Sequence, residues 1–170
     1  YHVEKMTAVY STQKVYSDVA DKVFQELVFF VPDEDHEILV KKFAKQKVDA
    51  GADYIVTQMF YDNKFYFDYV DKCREAGINV QIIPGLKILT AKAQLHSIPK
   101  DFHVTIPSAL SDEVESAKHE EVLSIGVEWT TKQVRELLDR NVPSVHFYIM
   151  LNSKPINMVM ERLKLFNKVF

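Results

Sequence analysis

The chain has 170 residues, of which 47% are hydrophobic and 26% charged, a composition typical of a folded domain with its own core. Its formal net charge is −3 with both signs scattered along the chain, so it lacks the basic stripe that nucleic-acid-binding proteins present to phosphates. The sequence also lacks an apolar run near the roughly 20 residues needed to span a bilayer, and it does not begin with a basic segment followed by an apolar one. We therefore expect a cytosolic protein without a nucleic-acid or membrane partner.

Cysteine and histidine usage narrows the chemistry further. Cys73 is the only cysteine, which excludes an intrachain disulfide and a cysteine-based metal site. Its place in a helical apolar pattern predicts a buried, inert thiol rather than a nucleophile. The six histidines show no paired ligand spacing, so we predict no metal site. The sequence also lacks a Gly-rich phosphate loop and the Gly-x-Ser-x-Gly motif of hydrolases, so it does not support a kinase or a hydrolase.

The first half of the chain alternates between helical and strand patterns. Residues 11–26 have the spacing of an amphipathic helix, which we leave unassigned, and residues 27–31 form an apolar run typical of a buried strand. A helical pattern begins after Pro32 and ends at Gly51, a predicted left-handed cap. A second strand is predicted at 54–60. It is followed by a helix that starts at Asp62 or Asn63 and ends at Gly77, and then by a third strand at 80–83.

The second half needs several helices between two strands. About sixty residues separate the third strand from a fourth at 145–150, and we predict helices within them at 90–96, 108–118 and 120–140. A last helix is predicted at 155–168. Because the strands are continuously apolar and separated by helices, the sequence predicts an α/β fold with a parallel sheet, either open and doubly wound or part of a barrel.

Polar residues near the predicted strand ends are the candidates for function, since ligands of such folds bind there. Gln58 lies near the end of the second strand and needs a hydrogen-bond partner, either a heterocyclic ligand or neighbouring backbone. Pro84 is expected to end the third strand, and Gly85 to permit a tight turn or, less commonly, a close ligand. His146 and Tyr148 share one face of the fourth strand; acid–base chemistry is possible there, although a structural histidine is the commoner case.

Residues 47–62, Lys-Val-Asp-Ala-Gly-Ala-Asp-Tyr-Ile-Val-Thr-Gln-Met-Phe-Tyr-Asp, resemble a signature of the methylenetetrahydrofolate reductases. The similarity continues in family order through four further motifs: 73–78, 82–85, 126–129 and 145–148. It covers about residues 45–150 and is weaker at 32–37. Several independent motifs in the same order make the resemblance specific.

The resemblance implies a fold and an activity. The four strands are similar to strands five to eight of a TIM-type (β/α)8 barrel, so residues 25–170 would form a half-barrel within a single domain 1–170, with 1–24 unassigned. The family is flavin-dependent: it passes electrons from NAD(P)H through FAD to 5,10-methylenetetrahydrofolate and gives 5-methyltetrahydrofolate. This chain is accordingly expected to be an oxidoreductase of one-carbon metabolism, with a folate as its substrate.

The resemblance also assigns roles to individual residues. Gln58 and Gln94 match substrate-binding glutamines. Lys47 matches a basic residue near the FAD phosphates, and His36 matches a histidine of the flavin site. Residues 1–24 resemble none of the family's first four strands, which carry acidic groups of the folate and flavin sites. The alternative is a non-catalytic half-barrel whose open strand edges are covered by the N-terminal 24 residues, by self-association or by a partner chain. The expected state is a homo-oligomer.

Overall fold

The computed structural model describes residues 44–149 and 152–164. The helix predicted at 11–26, the strand at 27–31 and the start of the helix after Pro32 lie outside the described residues. The described helices are α1 Lys45–Asp49, α2 Asn63–Glu75, α3 Gln94–Phe102, α4 Ser108–Ser116, α5 Val122–Asp139 and α6 Lys154–Arg162. The strands are β1 Tyr54–Met59, β2 Gln81–Leu86 and β3 His146–Phe147, and a single 3-10 turn, His119–Glu121, precedes α5.

The three strands form one parallel sheet in the order β1-β2-β3. Ile55 pairs with Ile82, and Gly85 pairs with His146. Helices connect the strands, as parallel neighbours require. The prediction of an α/β fold with a parallel sheet is confirmed.

The predicted helix ends around β1 are confirmed by their backbone geometry. The side chain of Asp62 accepts a hydrogen bond of 2.9 Å from the backbone N–H of Lys64 and so caps α2. Gly51 and Gly77 have φ angles of 103° and 75°, the left-handed conformation that glycine adopts without steric cost.

Four predicted boundaries are wrong. β2 does not stop at Pro84; it continues through Gly85 to Leu86, and no turn forms at the glycine. α3 begins four residues later than predicted because the side chain of Gln94 binds backbone N–H groups of the turn before it. β3 is only two residues long within the described part of 145–150. α6 ends at Arg162, well short of 168.

The main core lies between one face of the sheet and the helices α2 and α5. Cys73 is fully buried in it, which confirms the prediction of a buried thiol, and burial raises the pKa of that thiol. The other buried members of this cluster are Ala44, Phe60, Tyr66, Ile78, Ile82, Leu86, Val134, Leu137 and Val142. Tyr66 also donates a hydrogen bond of 2.8 Å to the carbonyl oxygen of Ile82, which ties α2 to the sheet.

A second core cluster lies beyond the carboxyl ends of β1 and β2. It joins residues that follow both strands to α3, α4 and the start of α5, and its buried members are Met59, Tyr61, Leu89, Leu95, Ile98, Val104, Leu110, Val114 and Val122. Gly126 of α5 packs directly on the backbone of Leu89. This packing fixes the segment that connects β2 to α3.

Two features are absent from the part of the chain that the structure describes. Between 44 and 149 and between 152 and 164, no helix is long and apolar enough to cross a membrane. The same residues contain no group of three or more His, Cys, Asp or Glu side chains that could hold a metal ion.

Candidate ligand site at the carboxyl end of the sheet

The carboxyl ends of β1 and β2 place two of the predicted site residues at the same edge of the sheet. Gln58 is the penultimate residue of β1, and Gln94 follows β2 as the first residue of α3. Their neighbours Met59 and Leu95 belong to the same core cluster, so the two segments pack together. This is the edge at which parallel sheets bind ligands.

Gln58 lies in an irregular part of β1 and is exposed. The register runs from Val56 opposite Ile83 to Met59 opposite Gly85, so one extra residue is inserted in β1. Its side-chain Oε1 accepts a hydrogen bond of 3.0 Å from the backbone N–H of Met59. The oxygen of this amide therefore faces the backbone N–H of Met59, and the NH₂ group is the part of the amide left to donate elsewhere.

The side-chain oxygen of Gln94 is also bound by backbone N–H groups. Its Oε1 accepts hydrogen bonds from the backbone N–H groups of Thr90 (2.7 Å) and Ala91 (3.2 Å). Because both partners are donors, the oxygen must face them and the NH₂ group must point the other way. Gln94 thus holds the turn before α3, and its NH₂ group points away from that turn.

The structure does not group Lys47 with these glutamines. Lys47 lies on α1, before β1 starts, whereas Gln58 and Gln94 follow the carboxyl ends of the strands. The residue is exposed overall, yet desolvation by neighbouring protein lowers the pKa of its amine. His36, the other predicted cofactor residue, lies outside the described residues.

His146 lies in β3 and Tyr148 directly follows that strand, and the rings of the two residues contact each other. The ring centroids are 4.7 Å apart with an edge-to-face angle of 78°, which confirms the prediction that both residues share one face. Burial lowers the pKa of the half-buried His146, so the neutral imidazole is favoured there. Tyr148 donates a hydrogen bond of 2.9 Å to the carbonyl oxygen of Thr57, the residue before Gln58.

A buried polar network behind the site was missed in the sequence. Asn63, which is 3% exposed, donates from Nδ2 to the carbonyl oxygen of Gln133 (2.9 Å) and to Oε2 of Glu136 (2.8 Å). Gln133 donates in turn to the carbonyl oxygen of Phe60 at 3.3 Å. The indole N–H of Trp129 binds the carbonyl oxygen of Tyr61 at 2.9 Å. Together these bonds attach the segment after β1 to α5.

The position of Asn63 was one feature of the sequence that could have predicted this network. An asparagine one residue after the helix cap can serve the helix start, and the pattern alone favours that interpretation. Asp62 performs the capping, which leaves Asn63 for α5. Polar residues such as Gln133 on the apolar side of a predicted helix were the second part of the signal.

We expect Asn63→Ala to lower the free energy of unfolding by about 2 kcal/mol, because it leaves the buried carbonyl oxygen of Gln133 without this donor and removes an acceptor of the buried Gln133 amide. Urea unfolding followed by the fluorescence of Trp129, the only tryptophan, measures this loss. Lys64→Ala, at the exposed neighbouring position, is the control and should change stability by less than about 0.5 kcal/mol. Equal stability of the two variants would contradict a structural role for the network.

Comparison with known proteins identifies the relatives of this chain. The sequence profile described as methylenetetrahydrofolate reductase matches residues 23–164. Methylenetetrahydrofolate reductase 1 of Schizosaccharomyces pombe is 38% identical over 141 residues, which is 82% of this chain and 23% of the relative. Methylenetetrahydrofolate reductase (NADH) 1 of Arabidopsis thaliana is 34% identical over 110 residues, 64% of this chain and 19% of the relative.

A third relative, from Caenorhabditis elegans, bears the name "Probable methylenetetrahydrofolate reductase (NADPH)". It is 33% identical over 126 residues, which cover 72% of this chain and 19% of the relative. The chain therefore spans less than a quarter of the length of these three relatives.

Proposed function

Since the chain belongs to the methylenetetrahydrofolate reductase family, we propose that it forms the folate-binding edge of an enzyme that reduces 5,10-methylenetetrahydrofolate to 5-methyltetrahydrofolate. The observation that carries the proposal is Gln58, an exposed amide at the carboxyl end of a parallel strand. Its place in the fold and its match to a substrate-binding glutamine of the family point to the same role.

The two glutamines suit the recognition of a pterin. One backbone N–H holds the side-chain oxygen of Gln58 and two hold that of Gln94, and each NH₂ group can donate to an acceptor atom on the edge of a heterocycle. Because the backbone fixes both amides, they lose little conformational freedom when a ligand binds. Gln58 and Gln94 would thus orient the substrate, while the electrons come from bound cofactors.

FAD and NAD(P)H complete the proposed reaction, in which the flavin supplies the redox chemistry when it is bound. The described residues do not by themselves fit a flavin. The candidate phosphate contact, Lys47, lies before β1 and away from Gln58 in the fold. The space above Gly85, where a glycine could admit a ligand, is filled by the backbone of Thr57 and the ring of Tyr148. We propose that residues outside the described part of the chain, His36 among them, complete the flavin site.

Residues 25–170 are further proposed to form half of a (β/α)8 barrel, as strands five to eight. The alternative role is a non-catalytic half-barrel that self-associates. Two exposed apolar side chains, Val56 on β1 (37%) and Ile149 beyond β3 (47%), favour a covering partner; β1 and β3 are the outer strands among those that the structure describes. Light scattering tests this alternative, because a homodimer has twice the chain mass of 19.7 kDa.

Folate binding by the purified 170-residue chain tests the proposed function. We expect titration with 5-methyltetrahydrofolate, followed by calorimetry, to give saturable binding that Gln58→Ala weakens by about tenfold, the value of one lost hydrogen bond to a ligand. Gln81→Ala is the matched control. Gln81 is an exposed glutamine at the opposite end of the neighbouring strand, where it binds the hydroxyl of Ser144. No binding by the unaltered chain, or equal losses in both variants, would refute the proposal.

A further inference from the structure

The β-bulge in β1 leaves its backbone without the usual ladder partners. Thr57 and Gln58 together lie opposite Pro84 of β2. Proline has no N–H group and cannot donate to the neighbouring strand. Bulges of this kind change the direction of a side chain, and here the redirected residue is Gln58.

Gly85 of β2 and Tyr148, the residue after β3, supply hydrogen bonds to Thr57 instead. The hydroxyl of Tyr148 donates to its carbonyl oxygen at 2.9 Å, and the backbone N–H of Gly85 donates to its Oγ1 at 2.9 Å. The Thr57 hydroxyl donates in turn to the carbonyl oxygen of Gln58 at 3.0 Å. Thr57 is therefore held from both β2 and the end of β3.

The ring of Tyr148 is itself closely placed. Its backbone N–H donates to the carbonyl oxygen of Leu86 at 2.8 Å, which continues the ladder by one residue beyond β3. The ring packs edge-to-face against His146. Its Cε2 also lies so close to Gly85 that a Cβ added to the glycine would be only 2.7 Å away. The glycine thus makes room for the tyrosine.

We propose that Tyr148 is a positioning residue for substrate binding, which acts through Thr57 to hold the β1 bulge so that the NH₂ group of Gln58 faces the ligand. This inference rests on the proposed folate site, because it concerns the orientation of the same glutamine. Tyr148 need not touch the folate for this role. Without the Tyr148 hydroxyl, the carbonyl oxygen of Thr57 loses this hydrogen bond. The bulge can then shift, which changes the direction of the Gln58 side chain.

The first test needs no folate and uses the ¹⁵N-labelled chain. The Gln58 side-chain NH₂ signals, assigned by their loss in Gln58→Ala, are expected to shift in Tyr148→Phe. The backbone N–H of Met59, which binds Oε1 of Gln58, should exchange with solvent about fivefold faster. Thr57→Val removes the hydroxyl bonds and should produce the same pattern.

Tyr66→Phe is the matched control for this test. It also removes a tyrosine hydroxyl that donates to a strand carbonyl, but on the helix-covered face of the sheet. It should leave the Gln58 and Met59 signals unchanged at similar overall stability. Unchanged signals in both Tyr148→Phe and Thr57→Val would overturn the proposal.

The second test measures coupling in folate binding by a double-mutant cycle. Tyr148→Phe should weaken binding of 5-methyltetrahydrofolate about three- to tenfold when Gln58 is present, and less than about twofold in the Gln58→Ala background. Equal losses in both backgrounds would contradict a role through Gln58. If the unaltered chain does not bind the folate, the proposed function fails, and the NMR result alone decides whether Tyr148 holds Gln58.

Discussion

Replacing Gly126 by alanine is expected to lower the free energy of unfolding by about 2–3 kcal/mol. A Cβ at this position would overlap the carbonyl oxygen of Leu89 and lie 2.8 Å from its carbonyl carbon. Alanine is favoured over glycine inside a helix by about 1 kcal/mol, so the expected sign depends on which effect is larger. The overlap is with backbone, which cannot rotate away, and we therefore expect the steric cost to exceed the gain.

Urea unfolding, followed by the circular dichroism of the helices, measures the loss of stability in Gly126→Ala. Ser124→Ala lies two residues earlier on the exposed side of α5 and is the control for helix propensity, since its hydroxyl makes only a long bond of 3.5 Å with the Arg162 guanidinium. It should leave stability unchanged or raise it slightly. A Gly126→Ala variant as stable as Ser124→Ala would show that α5 and the segment after β2 can separate without cost.

Gly85→Ala is expected to lower the free energy of unfolding by about 3 kcal/mol and to abolish folate binding. The added Cβ would overlap the carbonyl oxygen of Thr57 and lie 3.3 Å from its carbonyl carbon and 2.7 Å from the Tyr148 ring. Either the strands separate at the bulge or the tyrosine moves, and both changes displace Gln58. Unlike Gly126, this glycine is not in a helix, so no propensity gain offsets the overlap.

A second substitution distinguishes the two contacts of Gly85. In a Tyr148→Ala background the ring contact is removed while the overlap with Thr57 remains. We expect Gly85→Ala to remain destabilising there, measured again by urea unfolding, because the strand backbone is the harder obstacle. Complete recovery of stability in the double variant would show instead that the ring alone excludes a side chain.

Many elements of the fold could be predicted from the sequence because they depend on residues that are close together in the chain. The Asp62 cap, the glycine helix ends and the parallel strands all arise from local steric and hydrogen-bonding preferences, and the structure agrees with them. The strand position of Gln58 was predicted in the same way, from the β-branched and aromatic run 54–60, near whose end it lies. Such features need no knowledge of distant parts of the chain.

The features that were missed depend on contacts between distant residues. Pro84 was expected to end its strand because it cannot donate to a ladder. The strand continues because the bulge in β1 and the hydroxyl of Tyr148 meet the unsatisfied groups from residues far along the chain. The same is true of Gly85, whose close neighbours are Thr57 and Tyr148 instead of a turn. A proline within an apolar run was the available signal that the adjacent strand would need other partners.

The spatial order of the strands follows their order in the chain, which has a consequence for folding. Ile55 and its partner Ile82 are 27 residues apart, whereas Gly85 and its partner His146 are 61 apart. Closing the shorter loop costs less entropy, so β1 and β2 should associate first and β3 should dock last. The hydroxyl of Tyr148 reaches Thr57 only after that docking. The geometry of Gln58 would then be among the last parts of the native state to form, and an incompletely folded chain would lack it.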